Sequence, residues 1–176
     1  MVQRMAFAIG GTLVAPTVLL ESCSFDPDTS TAGPDRLAVL DAIAETIIPR
    51  TTTAGARDAK IGAFIDVMIR DCYYPEMQAK LNGGIQEIAE EGKRALGKPF
   101  EKAMQKERES VLAAYDQAAH EDGSHFFRTL KELTILGYYT SEEAANDGVV
   151  EFNAIPTRYD GCAPADENTR VFYSKI

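Results

Sequence analysis

The chain has 176 residues, of which 45% are hydrophobic, so it is long enough for one domain and apolar enough for a packed core. Asp and Glu total 27 against 18 Lys and Arg, for a net charge of −9. That balance argues against a nucleic-acid partner, which needs a basic face to neutralise phosphates, and describes a solvated acidic surface suited to a basic partner.

Residues 1–22 read as an export leader. Arg4 precedes Met5 to Leu20, a run without charge. The run is shorter than the roughly 20 residues of a bilayer-spanning helix, and Gly10, Gly11 and Pro16 weaken it as a permanent span. Leu20-Glu21-Ser22-Cys23 resembles a lipoprotein processing box, in which Cys23 becomes acylated. Glu21 departs from that pattern, where a small or hydroxyl residue is usual. Three outcomes stand: lipidation at Cys23, cleavage nearby without lipid, or retention of the segment. One acyl chain anchors only marginally, so a lipidated form needs a second contact. Residues 23–34 contain Pro27, Pro34 and several Ser and Thr but no large aliphatic residue, and they read as a flexible tether.

Residues 35–176 form the expected domain. Pro34 and Asp35 start a first helix, with Leu37, Leu40, Ile43, Ala44, Ile47 and Ile48 at helical spacing, and Pro49 ends it. Arg50 to Arg57, rich in Thr and Gly, is a loop. A second helix runs from Asp58 to Cys72, with Ile61, Phe64, Ile65, Met68 and Ile69 on its apolar face. A third spans Pro75 to Leu96, with Met77, Leu81, Ile85 and Ile88 inward. Gly83-Gly84 costs it about 1 kcal/mol per Gly relative to Ala and marks a kink or break. A fourth, Phe100 to His120, turns Phe100, Met104, Val111, Leu112 and Tyr115 inward.

The fifth helix is the expected centre. Phe126, Leu130, Leu133 and Gly137 share one stripe, Phe127, Thr134 and Tyr138 a second, and Ile135, Leu136 and Tyr139 widen the apolar surface almost all the way round. Such a helix is expected to be covered on several sides. Ser141 then caps a short helix, with Glu142 and Glu143 at its positive end, and Asn146-Asp147-Gly148 stops it. Val149 to Ile155 reads as extended, and Pro156 and Asp160-Gly161 make turns. Residues 163–176 form a polar tail in which Val171-Phe172-Tyr173 packs on a neighbour. The sum is an all-α fold, a single helical bundle of about five to six helices with an irregular C-terminal segment and a short strand pair near Val149 to Ile155.

No G-x-G-x-x-G follows a strand and no C-x-x-C-H occurs, so no dinucleotide fingerprint or c-type haem attachment is present. His120 and His125 flank a Gly and do not stack on one helix face, which favours a surface turn over a metal site. Ser124-His125 lacks a nucleophile elbow. Glu90-Glu91 and Glu142-Glu143 read as a solvated face and a helix start. No catalytic, cofactor-binding or metal-ligating residue is therefore expected in this chain.

Three cysteines remain to be placed. An exported chain meets an oxidising compartment. With Cys23 lipidated, Cys72 and Cys162 are left as a pair. A bridge between them would close a loop of about 90 residues, for roughly 4 kcal/mol in the chain-entropy model. Two free thiols are the alternative. The C-terminal third is also rich in aromatics. Most serve the core, but Tyr and Arg also suit protein interfaces. Phe126, Phe127, Tyr138, Tyr139, Arg158, Tyr159 and Asp160 are the candidate interface residues, and a local turn-stabilising role is the other reading of Arg158-Tyr159-Asp160.

One family resemblance rests on these same residues. The Phe126-Phe127 helix start, Leu136 to Glu142 (LGYYTSE), and Tyr159, Gly161 and Cys162 (Y-x-G-C) resemble the C-terminal signature of the gluconate 2-dehydrogenase subunit 3 family. The resemblance implies a small, non-catalytic accessory subunit of a periplasmic FAD-dependent sugar dehydrogenase, of gluconate 2-dehydrogenase or glucoside 3-dehydrogenase type. It implies a large flavoprotein partner holding the FAD, a cytochrome c partner holding haem, and membrane contact through the leader or a lipid. The family often carries a twin-arginine leader, whereas only Arg4 is present here. A free-standing exported or lipid-anchored helical binding protein, with a pocket between helices, is the alternative. A self-contained enzyme ranks last.

Overall fold

The computed structural model describes residues 34–152 and 171–173. Two units divide the chain, Met1–Thr31 and Ala32–Ile176, and the described residues all belong to the second. The expected leader, the tether and Cys23 lie outside the described residues.

The described residues hold six α-helices: α1 (Pro34–Ile47), α2 (Ile61–Cys72), α3 (Pro75–Leu96), α4 (Gln105–Glu121), α5 (Phe126–Tyr139) and α6 (Glu142–Asn146). One turn of 3-10 helix, Phe100–Lys102, precedes α4. Two short strands follow, β1 (Val150–Phe152) and β2 (Val171–Tyr173). Among the described residues no helix is long and apolar enough to cross a membrane.

Local chemistry explains most boundaries. Pro49 cannot follow a helical residue without a clash, so α1 stops before it. Pro75 occupies the first turn of α3, where its missing N–H costs nothing, and Gly97 closes that helix at φ 67°, its N–H donating to Lys93 O at 3.1 Å. α2 starts at Ile61 rather than Asp58. Asp58 instead belongs to the loop, where its carboxylate accepts from Gly55 N at 3.0 Å and from Arg50 Nη1 at 3.1 Å.

The Gly83-Gly84 pair does not break α3, which runs unbroken from Pro75 to Leu96. Gly84 faces the ring of Phe126 and a Cβ there would collide with it, whereas a Cβ on Gly83 would meet nothing within 4 Å. The fourth expected helix divides at Met104. That residue is extended, at φ −70° and ψ 157°, and its N–H donates to Glu107 Oε2 at 2.7 Å. Met104 therefore falls out of helical phase with Phe100 and is exposed, which corrects its expected place in the core.

α5 touches α1, α2, α3, α4 and α6. The core gathers round it: Leu40 and Ile43 from α1, Ile61, Ile65 and Ile69 from α2, Leu81 and Ile88 from α3, and Phe100. An ion pair stitches three helices. The buried carboxylate of Asp66 on α2 accepts from Arg36 Nε on α1 at 2.9 Å, and Arg36 Nη2 donates to Asn82 Oδ1 on α3 at 2.7 Å.

The expected strand pair has an unforeseen partner. β1 pairs in parallel with β2, Val150 opposite Val171 and Phe152 opposite Tyr173. The C-terminal apolar knot, expected to pack on a neighbour, thus forms the second strand of a two-stranded sheet.

Candidate functional site

α5 begins with a histidine cap. His125 is extended, and its Nδ1 accepts from the Phe127 backbone N–H at 3.2 Å, satisfying one orphan donor of the first turn. Its ring lies 4.6 Å from that of Phe126, which in turn meets Tyr115 edge-on at 5.8 Å. Lys80 Nζ reaches Ser124 O, tying this corner to α3. His125 is thus a structural cap. Among the described residues no three His, Cys, Asp or Glu side chains converge as a metal site would require.

The inward stripes of α5 behave as expected. Phe126, Phe127, Leu130, Leu133, Thr134 and Tyr138 are buried, and the Thr134 hydroxyl donates to Leu130 O at 2.9 Å. Gly137 lets α2 approach: a Cβ there would stand 2.6 Å from Phe64 Cδ1. Of the candidate interface residues, Phe126, Phe127 and Tyr138 are therefore closed inside the domain. Tyr138 also pins a loop. Its O–H donates to Ala54 O at 2.7 Å, while the Ala54 N–H donates to Asp147 Oδ2 at 2.5 Å.

The outward face stays open although α5 is covered on several sides as expected, and Tyr139, one of the candidate interface residues, lies on it. Ile135 is 42% exposed, Leu136 49% and Tyr139 38%. The neighbouring helices cover only the inner stripes, so the apolar ring is open on one side. Residues three and four apart on a helix are neighbours, so these three form one patch. Tyr139 holds its ring perpendicular to that of Tyr138 at 5.6 Å. Towards the N-terminus the same face turns charged. Arg128 Nε meets Glu132 Oε1 at 3.2 Å, and Lys131 Nζ meets Asp116 Oδ1 of α4 at 2.6 Å. Beyond Tyr139, the Ser141 hydroxyl accepts from Ala144 N at 3.2 Å and opens α6 as expected. Gly148, at φ 68°, follows the end of α6.

Arg158, Tyr159, Asp160 and Cys162 lie outside the described residues. Cys72 is exposed and is the single cysteine among the described residues, and its Sγ donates to Met68 Sδ at 3.8 Å. With Cys162 beyond the description, its pairing stays a proposal.

Elsewhere the polar interior is internally matched. Arg108 on α4 is buried and donates to Thr46 Oγ1 at 2.9 Å, Ala103 O at 3.0 Å and Gln105 Oε1 at 2.8 Å. Burial, with Arg57 in the same sense, holds its pKa below the usual arginine value. Burial, with Glu87 beside it, pushes the Tyr115 phenol up to about 12. Burial also raises Asp41, although Arg57 and the Gly62 N–H oppose it. Among the described residues no buried side-chain N or O lacks a partner. Such an interior suits a fixed scaffold, because each buried polar group is held by its bonds. An open groove of about 470 Å³ runs between α1 and α3, with Val39, Gly83 and Ile85 in its wall.

The histidine cap, the buried Arg108 and the open α5 face escaped the sequence reading. A helical pattern shows which residues are apolar, not which side a neighbour covers.

Comparison with curated proteins and with solved structures gives no match. The model of the gluconate 2-dehydrogenase subunit 3 family matches residues 34–157, which span all six helices and β1. On that match, which takes in α5 and its open face, the chain belongs to the gluconate 2-dehydrogenase subunit 3 family.

Proposed function

We propose that this chain is the non-catalytic accessory subunit of a periplasmic FAD-dependent sugar dehydrogenase of the gluconate 2-dehydrogenase or glucoside 3-dehydrogenase type. The large subunit binds FAD, oxidises the sugar and passes electrons to a cytochrome c, while this chain supports its folding, export and anchoring. The family match over residues 34–157 carries the reading. Two features support it: a polar interior satisfied from within, and apolar side chains left open on the central helix. Export and membrane contact rest on the leader sequence around Arg4 and Cys23.

The test is co-purification. The tagged chain, drawn from membranes of cells that also make the large subunit, is expected to bring down a flavin-containing polypeptide and sugar-dependent dye reduction. A well-folded, monomeric chain that no flavoprotein ever accompanies would defeat the proposal. The groove between α1 and α3 favours the alternative of a free-standing binding protein. A thermal shift with a small ligand and no partner would support that alternative instead. The Cys72–Cys162 bridge is tested separately, by mass measurement under non-reducing conditions. Two free thiols would remove it.

A further inference from the structure

The geometry points to the outward face of α5 as the surface that seats the large dehydrogenase subunit, through an apolar patch on the partner flanked by Lys or Arg. This inference rests on the accessory-subunit reading and adds where the contact lies and what chemistry meets it. Isolated exposed apolar residues are ordinary on a protein surface, whereas a cluster is not. Ile135, Leu136 and Tyr139 fall within little more than one turn of one helix, each between 38% and 49% exposed. Tyr139 adds a rigid ring with a polar tip, a residue type favoured at the centre of interfaces.

The two ends of the patch differ in charge. At the N-terminal end the charges are already paired within the chain, Arg128 with Glu132 and Lys131 with Asp116. At the C-terminal end, Glu142 and Glu143 form no ion pair among the described residues. The complement is a surface with an apolar centre and basic side chains opposite α6. Such a surface is steered in by the overall charge of −9. A second copy of this chain is a poorer occupant. It brings the same net charge and the same acidic α6, and like charges repel. Membership of a family described as subunit 3 supplies partner chains for the face.

The experiment pairs the tagged full-length chain with the co-expressed large subunit. Replacing Ile135, Leu136 and Tyr139 together by Gln should leave the helical signal and melting temperature close to wild type. It should weaken binding of the flavoprotein roughly tenfold or more, as loss of an interface centre does. Glu142→Gln with Glu143→Gln should slow association and flatten its salt dependence. Tyr74→Gln with Met104→Gln, exposed apolar residues elsewhere on the chain, should change nothing. Wild-type binding by a folded triple variant overturns the inference and spares the accessory role. So does a wild-type homodimer that the triple variant abolishes while flavoprotein binding persists. If the wild-type chain recovers no flavoprotein, the accessory role itself fails and this inference falls with it.

Discussion

Phe126, Leu130, Leu133 and Gly137 on the inner side of α5 meet α3, α2 and the rest of the core, while Ile135, Leu136 and Tyr139 on the outer side of the same helix meet solvent. Both sides are rich in large apolar residues. The inner side is closed because its neighbours fit it: Gly84 on α3 leaves room for Phe126, and Gly137 leaves room for Phe64 of α2. The outer side has no such neighbour among the described residues, and its apolar residues give way to charge at one end and to α6 at the other. A helix apolar on nearly all sides is therefore not always closed on every side by its own neighbours.

Paired substitutions test that contrast, beginning with the greatest effect. Leu130→Ala, on the inner side, should cost about 2–5 kcal/mol in denaturant unfolding, through lost burial and the cavity left behind. Leu136→Ala, on the outer side, should stay within about 0.5 kcal/mol of wild type. Equal costs would mean that the outer face is packed after all.

The adjacent glycines of α3 should respond with opposite signs. Gly84→Ala forces a methyl into the Phe126 ring and should destabilise by about 1–3 kcal/mol despite the better helix propensity of Ala. Gly83→Ala meets open space and should stabilise by about 0.5–1 kcal/mol. A stabilised Gly84→Ala would show that α5 does not press on α3 there.

The two tyrosines at the end of α5 divide in the same way. Tyr138→Phe removes the hydrogen bond to Ala54 O and should cost about 0.5–1.5 kcal/mol. It should also raise proteolytic nicking of the Arg50 to Arg57 loop. Tyr139→Phe should leave the isolated chain's stability unchanged.

The smallest effect concerns Asp41. Burial raises its folded pKa, so the folded state holds the proton more tightly than the unfolded state, whose carboxyl titrates near about 3.9. Its stabilising share is present below that pH and is lost as pH rises through the folded value. At neutral pH the ionised group is therefore a cost. Asp41→Asn keeps an acceptor for the Gly62 N–H and removes the charge. It should raise the melting temperature slightly at neutral pH, and the gain should vanish in acid. A gain that grows in acid would contradict the raised value.

Much of the body was legible because its signals are local. Pro34, Pro49, Pro75 and Gly97 punctuate the helices through their own backbone limits, and Ser141 caps α6 with its own hydroxyl. Periodicity placed Leu40, Ile65, Leu81, Leu112 and Leu130 inward, and all are buried. Met104 was misplaced because helical phase was carried through a residue that is extended. The parallel pairing of Val150 with Val171 was missed because strand partners distant in sequence leave no periodic trace.

At the candidate site the division is sharper. The motif around Leu136 to Glu142 was readable, and so was the family resemblance that rests on it. Helical spacing also grouped Phe126 with Leu130 and Leu133, and Phe127 with Thr134 and Tyr138, but it did not show which side of α5, with Tyr139 on it, is left open. Sequence alone determined where helices begin and end and which residues are apolar, because those depend on a residue and its near neighbours. Only the tertiary structure decided which apolar residues are covered, because burial depends on the close approach of helices far apart in the chain.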